Sequence, residues 1–229
     1  MAAAEFYTAF ARLYDRLARA PGVGRVRRRV ARALAPSPGA TVLDLGCGTG
    51  ANAAPLCRAV GSDGGYVGVD FAPGVLRVAR RRVRRRRPAW RDRATFLRGD
   101  ATRPPVAAER VDAACATFLV GMLGEPAAAV RTWGRLVGTG GRLALANLER
   151  TTDSLATALN PLFRLGVRAG APGSAGGSAV ERLERRVTAA HGELDRITTA
   201  TVRNRGAGGF LRVTAGSVQP PSAWSTTDE

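Results

Sequence analysis

The residues best placed to do chemistry form one short run, Val42-Leu43-Asp44-Leu45-Gly46-Cys47-Gly48-Thr49-Gly50. A β-branched strand ends there and a helix is expected to begin. Glycines at such a junction let the backbone turn tightly and come close to a ligand. The start of the helix offers N–H groups that no helical carbonyl takes. Gly46, Gly48 and Ala51 also fit the dinucleotide-binding pattern GxGxx[GA], a short pattern that needs further support. Asp44 argues for a different ligand. A carboxylate two residues before the first glycine lies at the carboxyl end of the strand. It would repel a pyrophosphate and suit a cation.

Two more acids extend this site. Asp70 ends the second expected strand, twenty residues after Gly50, where an acid accepts hydrogen bonds from a ribose diol. Phe71 follows it and is placed to lie against an adenine. Asp100, in the run FLRGDAT, ends the third strand and is placed to accept from an adenine amino group. Each aspartate alone also fits a helix cap or a turn. Together they put three acids at the ends of three consecutive strands, on one edge of one sheet. A positively charged nucleoside ligand is implied, and S-adenosylmethionine carries both an ammonium and a sulfonium. A charge-assisted hydrogen bond to such a group contributes roughly 1.5–3 kcal/mol.

The elements that must position these residues alternate. Residues 3–19 carry apolar side chains at helical spacing (Phe6, Phe10, Leu13, Tyr14, Leu17), and residues 23–34 form a second, arginine-heavy helix stopped by Pro36 and Pro38. Strands are expected at 41–45, 66–69, 95–97, 111–118 and 142–148, with helices at 51–60, 73–87 and 126–137. Strands alternating with helices of about a dozen residues imply a parallel, doubly wound α/β sheet. Residues 154–167 form an apolar helical segment interrupted by Pro161. The stretch at 170–178 is a Gly/Ser linker, 179–190 a helix, and 197–203 with 210–215 a closing hairpin. The tail from Gln219 is expected to be disordered.

Few other groups offer chemistry. His191, the single histidine, is a candidate base, although its place before Gly192 suits the last residue of a helix. Tyr14 and Tyr7 on the first helix are candidates to close over the ligand. Cys47 reads as a small filler of the turn. Three cysteines without CxxC spacing imply neither a disulfide framework nor a thiolate zinc site, and one histidine cannot build a metal site alone, so no metal is expected.

Composition sets the bounds. The 229 residues are 45% hydrophobic and 23% charged, which suits a globular domain and excludes fibrous or disordered chains. The longest nearly unbroken apolar run, residues 113–123, is too short to span a bilayer, and no secretory leader is read at the start. A cytoplasmic protein is expected, either free or peripheral to a membrane. Thirty-five basic residues, every one an arginine, face 18 acids, a net charge of +17 that attracts nucleic acid or anionic lipid. Ten arginines crowd residues 77–93 and eight crowd residues 12–32. A helix that follows strand two starts at the ligand edge and runs away from it. Both clusters are therefore expected at the opposite edge, too far off to feed a polynucleotide into the site.

The segments VLDLGCGTG, VGVDFAPGVL, GDATRPPV and VDAACATFLVGML…GTGGRLAL resemble the class I S-adenosylmethionine-dependent methyltransferases. The resemblance runs over about residues 1–150. Within that class Tyr14-Asp15, about thirty residues before the glycine run, is similar to the UbiE-like quinone C-methyltransferases. The histidine-containing run of that group is replaced here by RLARAPGVGRVRRR. The resemblance implies a mainly parallel seven-stranded Rossmann-like sheet ending in an antiparallel hairpin. Its parts would be an N-terminal helical cap (1–38), a cofactor-binding core (39–150), a lid and closing hairpin of the same domain (151–218) and the tail (219–229). It implies that Asp44, Gly46, Thr49 and Gly50, with Cys47 and Gly48 between them, hold the methionine part. Asp70 would hold the ribose and Asp100 with Ala101 the adenine, while Thr117 would face the methyl group. The expected activity is methyl transfer to a small, apolar or quinone-like acceptor. The alternatives are an RNA or DNA methyltransferase and a non-catalytic module that binds the cofactor or a polyanion. The sequence leaves the oligomeric state open.

Overall fold

The computed structural model describes residues 23–86, 88–108, 110–152, 157, 160–161 and 178–224. The expected helix over 3–19, with Tyr7 and Tyr14, lies outside them. So do the 170–177 linker and nearly all of the 154–167 segment.

Twelve residues, Val23–Leu34, form α1. β1 (Thr41–Leu45) leads through the glycine run to α2 (Ala53–Val60). β2 (Gly65–Asp70), α3 (Pro73–Arg86) and β3 (Ala94–Arg98) follow. Then come β4 (Ala113–Thr117), α4 (Pro126–Val137) and β5 (Arg142–Leu148). α5 (Ser178–Ile197) precedes the hairpin of β6 (Thr198–Gly206) and β7 (Leu211–Val218). The strands make one seven-stranded sheet of order β3-β2-β1-β4-β5-β7-β6. β1 to β5 pair in parallel, and β7 lies antiparallel between β5 and β6. This is the doubly wound sheet and closing hairpin that the alternation implied. Its strand order reverses beside β1, between β2 and β4, and such a switch point opens a ligand crevice at the carboxyl ends of the strands.

The apolar pattern explains the layers. Every residue of β4 is buried, as both faces of a central parallel strand must be. Val42, Cys115 and Ala144 face Val30 and Leu34 of α1, Leu56 of α2 and Leu76 of α3. Leu43, Leu45 and Leu145 face Val130 and Trp133 of α4 and Val187 and Leu194 of α5. Pro126 opens α4 at a position where the missing N–H costs nothing. Gly138, at φ 71°, ends it.

Two expectations are corrected. The last helix does not stop at Ala190: it continues for two turns through His191 and Gly192 to Ile197. Leu194 and Ile197 are fully buried and extend the apolar stripe. Burying a Leu and an Ile, about 1.5–3 kcal/mol each, outweighs the roughly 1 kcal/mol cost of a helical glycine. Nor does the chain lose order at Gln219. Residues 219–224 fold back through a 3-10 turn, and the buried Trp224 packs on Gly134 of α4 and donates from Nε1 to the Gln219 carbonyl at 3.0 Å. Residues 225–229 lie outside the described residues.

Trp133 fixes α4 beneath the site edge, because its buried Nε1 donates to the Ala101 carbonyl at 2.7 Å. Trp133→Phe leaves that carbonyl unpaired and a small void. A loss of about 2 kcal/mol is expected, read as a fall of roughly 4–8 °C in the calorimetric melting temperature.

Candidate functional site

The glycine run leaves β1 in an unusual backbone shape. Gly46, Gly48 and Gly50 all lie in the left-handed region, at φ 64°, 54° and 68°. A side chain would be strained at each. Space is short as well: a Cβ on Gly46 would stand 2.8 Å from Leu119 Cδ1, and one on Gly50 would stand 3.0 Å from the Ala79 Cβ. Asp70 holds the loop from the end of β2. One carboxylate oxygen accepts from the Gly48 N–H at 2.9 Å, and the other from the Ala72 N–H at 2.9 Å. Burial raises the Asp70 pKa, and these backbone donors pull it back in part.

Beside this loop lies a small crevice of about 50 Å³. Gly46 and Gly48 form its floor and Asp70 and Phe71 one side. Val75 and Ala101 close the end, and Thr117, Phe118, Leu119 and Met122 stand opposite. Of the residues expected in the site, the structure therefore gathers Gly46, Gly48, Asp70, Phe71, Ala101 and Thr117.

Asp44 is the main correction. Its side chain does not reach the crevice but turns beneath the loop, fully buried on the α1–α3 side of the sheet. There Oδ2 accepts from the Tyr66 hydroxyl at 2.7 Å, and Oδ1 accepts from Asn52 Nδ2 at 2.9 Å and from the Cys115 thiol at 3.6 Å. Burial raises its pKa, while the Asn52 and Tyr66 bonds and the nearby Arg27 guanidinium lower it. The reason is the two-residue period of the strand: position 44 shares a face with Val42, whereas Leu43 and Leu45 point the other way. Asp44 touches the crevice through one intermediary. Asn52 Nδ2 also donates to Thr117 Oγ1 at 3.1 Å, and Asn52 Oδ1 accepts from Arg27 at 2.8 Å.

Other candidates also fall elsewhere. Asp100 is exposed and its carboxylate caps the Thr102 N–H at 2.8 Å, a turn role; Ala101 takes its place in the wall. Cys47 is buried in the core, with its thiol pKa pushed well up by burial and by the Asp44 and Asp70 carboxylates, so it is no nucleophile. Thr49 is buried outside the wall, and its hydroxyl has no partner among the described residues. Gly50 packs on α3 and Phe96. His191 lies inside α5, fully buried, with Nδ1 2.8 Å from Thr214 Oγ1 on β7, and forms no part of the crevice.

Sequence reading missed Arg27 and Asn52, although Asn52 is a small polar residue at an expected helix start. The segment Phe118–Leu123, expected from sequence to take part in substrate recognition, does line the crevice through Phe118, Leu119 and Met122. Phe118 adopts φ 61°, rare for a bulky residue, and its N–H donates to the Ala146 carbonyl at 2.7 Å. The arginine geometry changes too. Arg142, at the start of β5, donates to the Ala33 and Leu34 carbonyls at the far edge. Arg27 meets Asn52 at the loop, so the first turns of α1, with Arg25, Arg28 and Arg29, lie toward the crevice rather than away from it.

Residues 42–141 match the methyltransferase domain family. A demethylmenaquinone methyltransferase of Renibacterium salmoninarum is 35% identical over 128 residues, 56% of this chain and 49% of that protein. A ubiquinone biosynthesis O-methyltransferase of Azorhizobium caulinodans is 34% identical over 129 residues, 56% of this chain and 48% of that one. The chain thus spans about half the length of the curated relatives it matches. A solved S-adenosyl-L-methionine-dependent methyltransferase of Methanococcus maripaludis superposes with a TM-score of 0.63 at 17% identity, covering 93% of both chains, which shows a common fold.

The buried imidazole makes stability depend on pH. Burial, aided by the Arg212 charge, lowers the His191 pKa from 6.5 to about 3. Between those values the unfolded chain binds a proton there that the folded chain refuses. His191 therefore favours folding above about pH 6.5, and that contribution is lost as the pH falls toward 3. In urea melts the stability of the wild type relative to His191→Gln should fall between pH 6 and pH 4.5 by roughly 1.4 kcal/mol per unit at most. A gap that widens on acidification would contradict this.

Proposed function

We propose, from the match of residues 42–141 to the methyltransferase domain family, that the chain is a class I S-adenosylmethionine-dependent methyltransferase acting on a small, apolar, quinone-like acceptor. The observation that carries the reading is the crevice itself: a glycine floor held to Asp70 at the switch point of the sheet.

The residues fit the cofactor. Gly46 lines the crevice without a side chain, and the space a Cβ would take is filled by Leu119. Asp70 lines the crevice with both oxygens held by backbone N–H groups, and its carboxylate keeps accepting capacity for a ribose hydroxyl. Phe71 offers an aromatic face at the rim. When bound, the cofactor supplies a methyl group already activated by its sulfonium. The work left to the protein is alignment and exclusion of water. Phe118, Leu119 and Met122 supply an apolar wall for the second purpose, and Thr117, held by Asn52, places a hydroxyl at that wall. Asp70 is the one titratable side chain of the wall among the described residues.

Two features support an apolar acceptor. The wall away from Asp70 is almost wholly hydrocarbon, and the two relatives described above carry quinone-pathway names. A nucleic-acid substrate finds no comparable support, since a flipped base needs polar partners for its pairing edge.

Calorimetry with S-adenosylmethionine tests the cofactor site. Gly46→Ala should weaken binding about tenfold, through left-handed strain and the Leu119 contact. Asp70→Asn should weaken it roughly 10- to 100-fold. Methyl-labelled cofactor incubated with a demethylated quinone in detergent, and separately with RNA, tests the acceptor. Label in the quinone supports the proposal and label in RNA overturns it. Tight cofactor binding without transfer to either would identify a non-catalytic module.

A further inference from the structure

We propose that the face of the sheet covered by α1, α2 and α3 docks on an anionic lipid bilayer. The inference goes beyond methyl transfer and does not require it. It starts from how charge is divided between the two faces. α1, α2 and α3 lie side by side on one face and contain no acidic residue. Four exposed arginines project from α1, one from α2 and five from α3.

The opposite face is balanced. α5 alone carries Glu181, Glu184, Glu193 and Asp195 among its four arginines. The ion pairs that join described residues gather on that side and at the β5–β7 ends, as in Arg131–Glu193 and Arg196–Glu193. The net charge of +17 is therefore concentrated rather than spread. On α3, Arg77 and Arg81, and Arg81 and Arg85, repel at one-turn spacing. A planar array of negative charge relieves all of these contacts at once.

Local shape agrees. Arg28 and Arg32 of α1 and Arg58 of α2 line an open groove of about 450 Å³ together with Pro36 and Pro55. Three guanidiniums round a shallow cup suit a phosphodiester headgroup.

A bilayer fits better than a polynucleotide for two reasons. The charge covers a broad face of three helices, not a single stripe or cleft. At the margin where α3 begins, Phe71 exposes an apolar ring by 41%. An interface with lipid takes up both the charge and the hydrocarbon, whereas phosphate backbone takes up only the charge.

Vesicle flotation of the full chain tests the proposal. Phosphatidylcholine vesicles are compared with vesicles containing 30% phosphatidylglycerol. Binding is expected only with the anionic lipid, and 0.5 M salt should abolish it. The quadruple variant Arg77→Gln, Arg81→Gln, Arg84→Gln, Arg85→Gln on α3 should bind at least 100-fold more weakly, at about fivefold per arginine. The control Arg182→Gln, Arg185→Gln on α5 should stay within twofold. Circular dichroism checks that both fold, and unchanged cofactor affinity in the α3 variant separates this result from a failure of the methyltransferase reading. Equal losses in both variants, binding indifferent to phosphatidylglycerol, or displacement from the vesicles by a short RNA would overturn it.

Discussion

One buried carboxyl group, Asp44, organises the centre of this protein. A carboxylate removed from water is tolerated only where donors surround it. The donors to Asp44 come from separate parts of the chain: Tyr66 on β2, Cys115 on β4 and Asn52 at the start of α2. Arg27 of α1 then binds Asn52. Satisfying one carboxylate thus draws three adjacent strands, the glycine loop and α1 into register. Asn52 carries the constraint to Thr117 in the crevice wall. The electrostatic partner inferred for a cationic ligand is, in the folded chain, the pin beneath the floor on which such a ligand rests.

Much of this architecture was legible because it follows from periodicity. Strand and helix alternation, with Pro73 and Pro126 at helix starts, gave the order of elements, and the parallel sheet followed from it. The glycine run and Asp70 were legible for the same reason, since a tight turn and a strand end each demand particular residue types. Side-chain direction at a strand terminus was not. Asp44 and Asp70 both end strands, yet one turns under the sheet and the other into the crevice. For Asp44 the strand period sets the face and Tyr66 and Asn52 hold the carboxylate there, whereas Asp70, at the last position of β2, is held by the Gly48 N–H. The end of α5 was misread because Gly192 is a local stop signal, overruled by Leu194 and Ile197 meeting the sheet. The place of Trp224 was equally invisible, because only α4 supplies its pocket.

Phe118 shows a different limit. A bulky residue held at φ 61° carries strain of about 1–3 kcal/mol, which the surroundings must impose. Here its N–H is committed to Ala146 on the neighbouring strand, and the next residue, Leu119, presses against the bare Cα of Gly46. Phe118 and Gly46 both line the crevice, and the Leu119 contact with Gly46 ties these two parts of its wall directly together.

The antiparallel closure of the sheet has a bearing on biosynthesis. β5 pairs with β7, whose last residue, Val218, follows Leu148 by about 70 residues. At translation rates of 5–20 residues per second, the apolar edge of β5 waits roughly 4–14 s for its partner to leave the ribosome. During that interval Leu143 and Leu145 present an unpaired strand, open to wrong partners and to chaperones. Yield in the cell is therefore governed less by the completed crevice than by how this nascent edge is shielded until the final hairpin arrives.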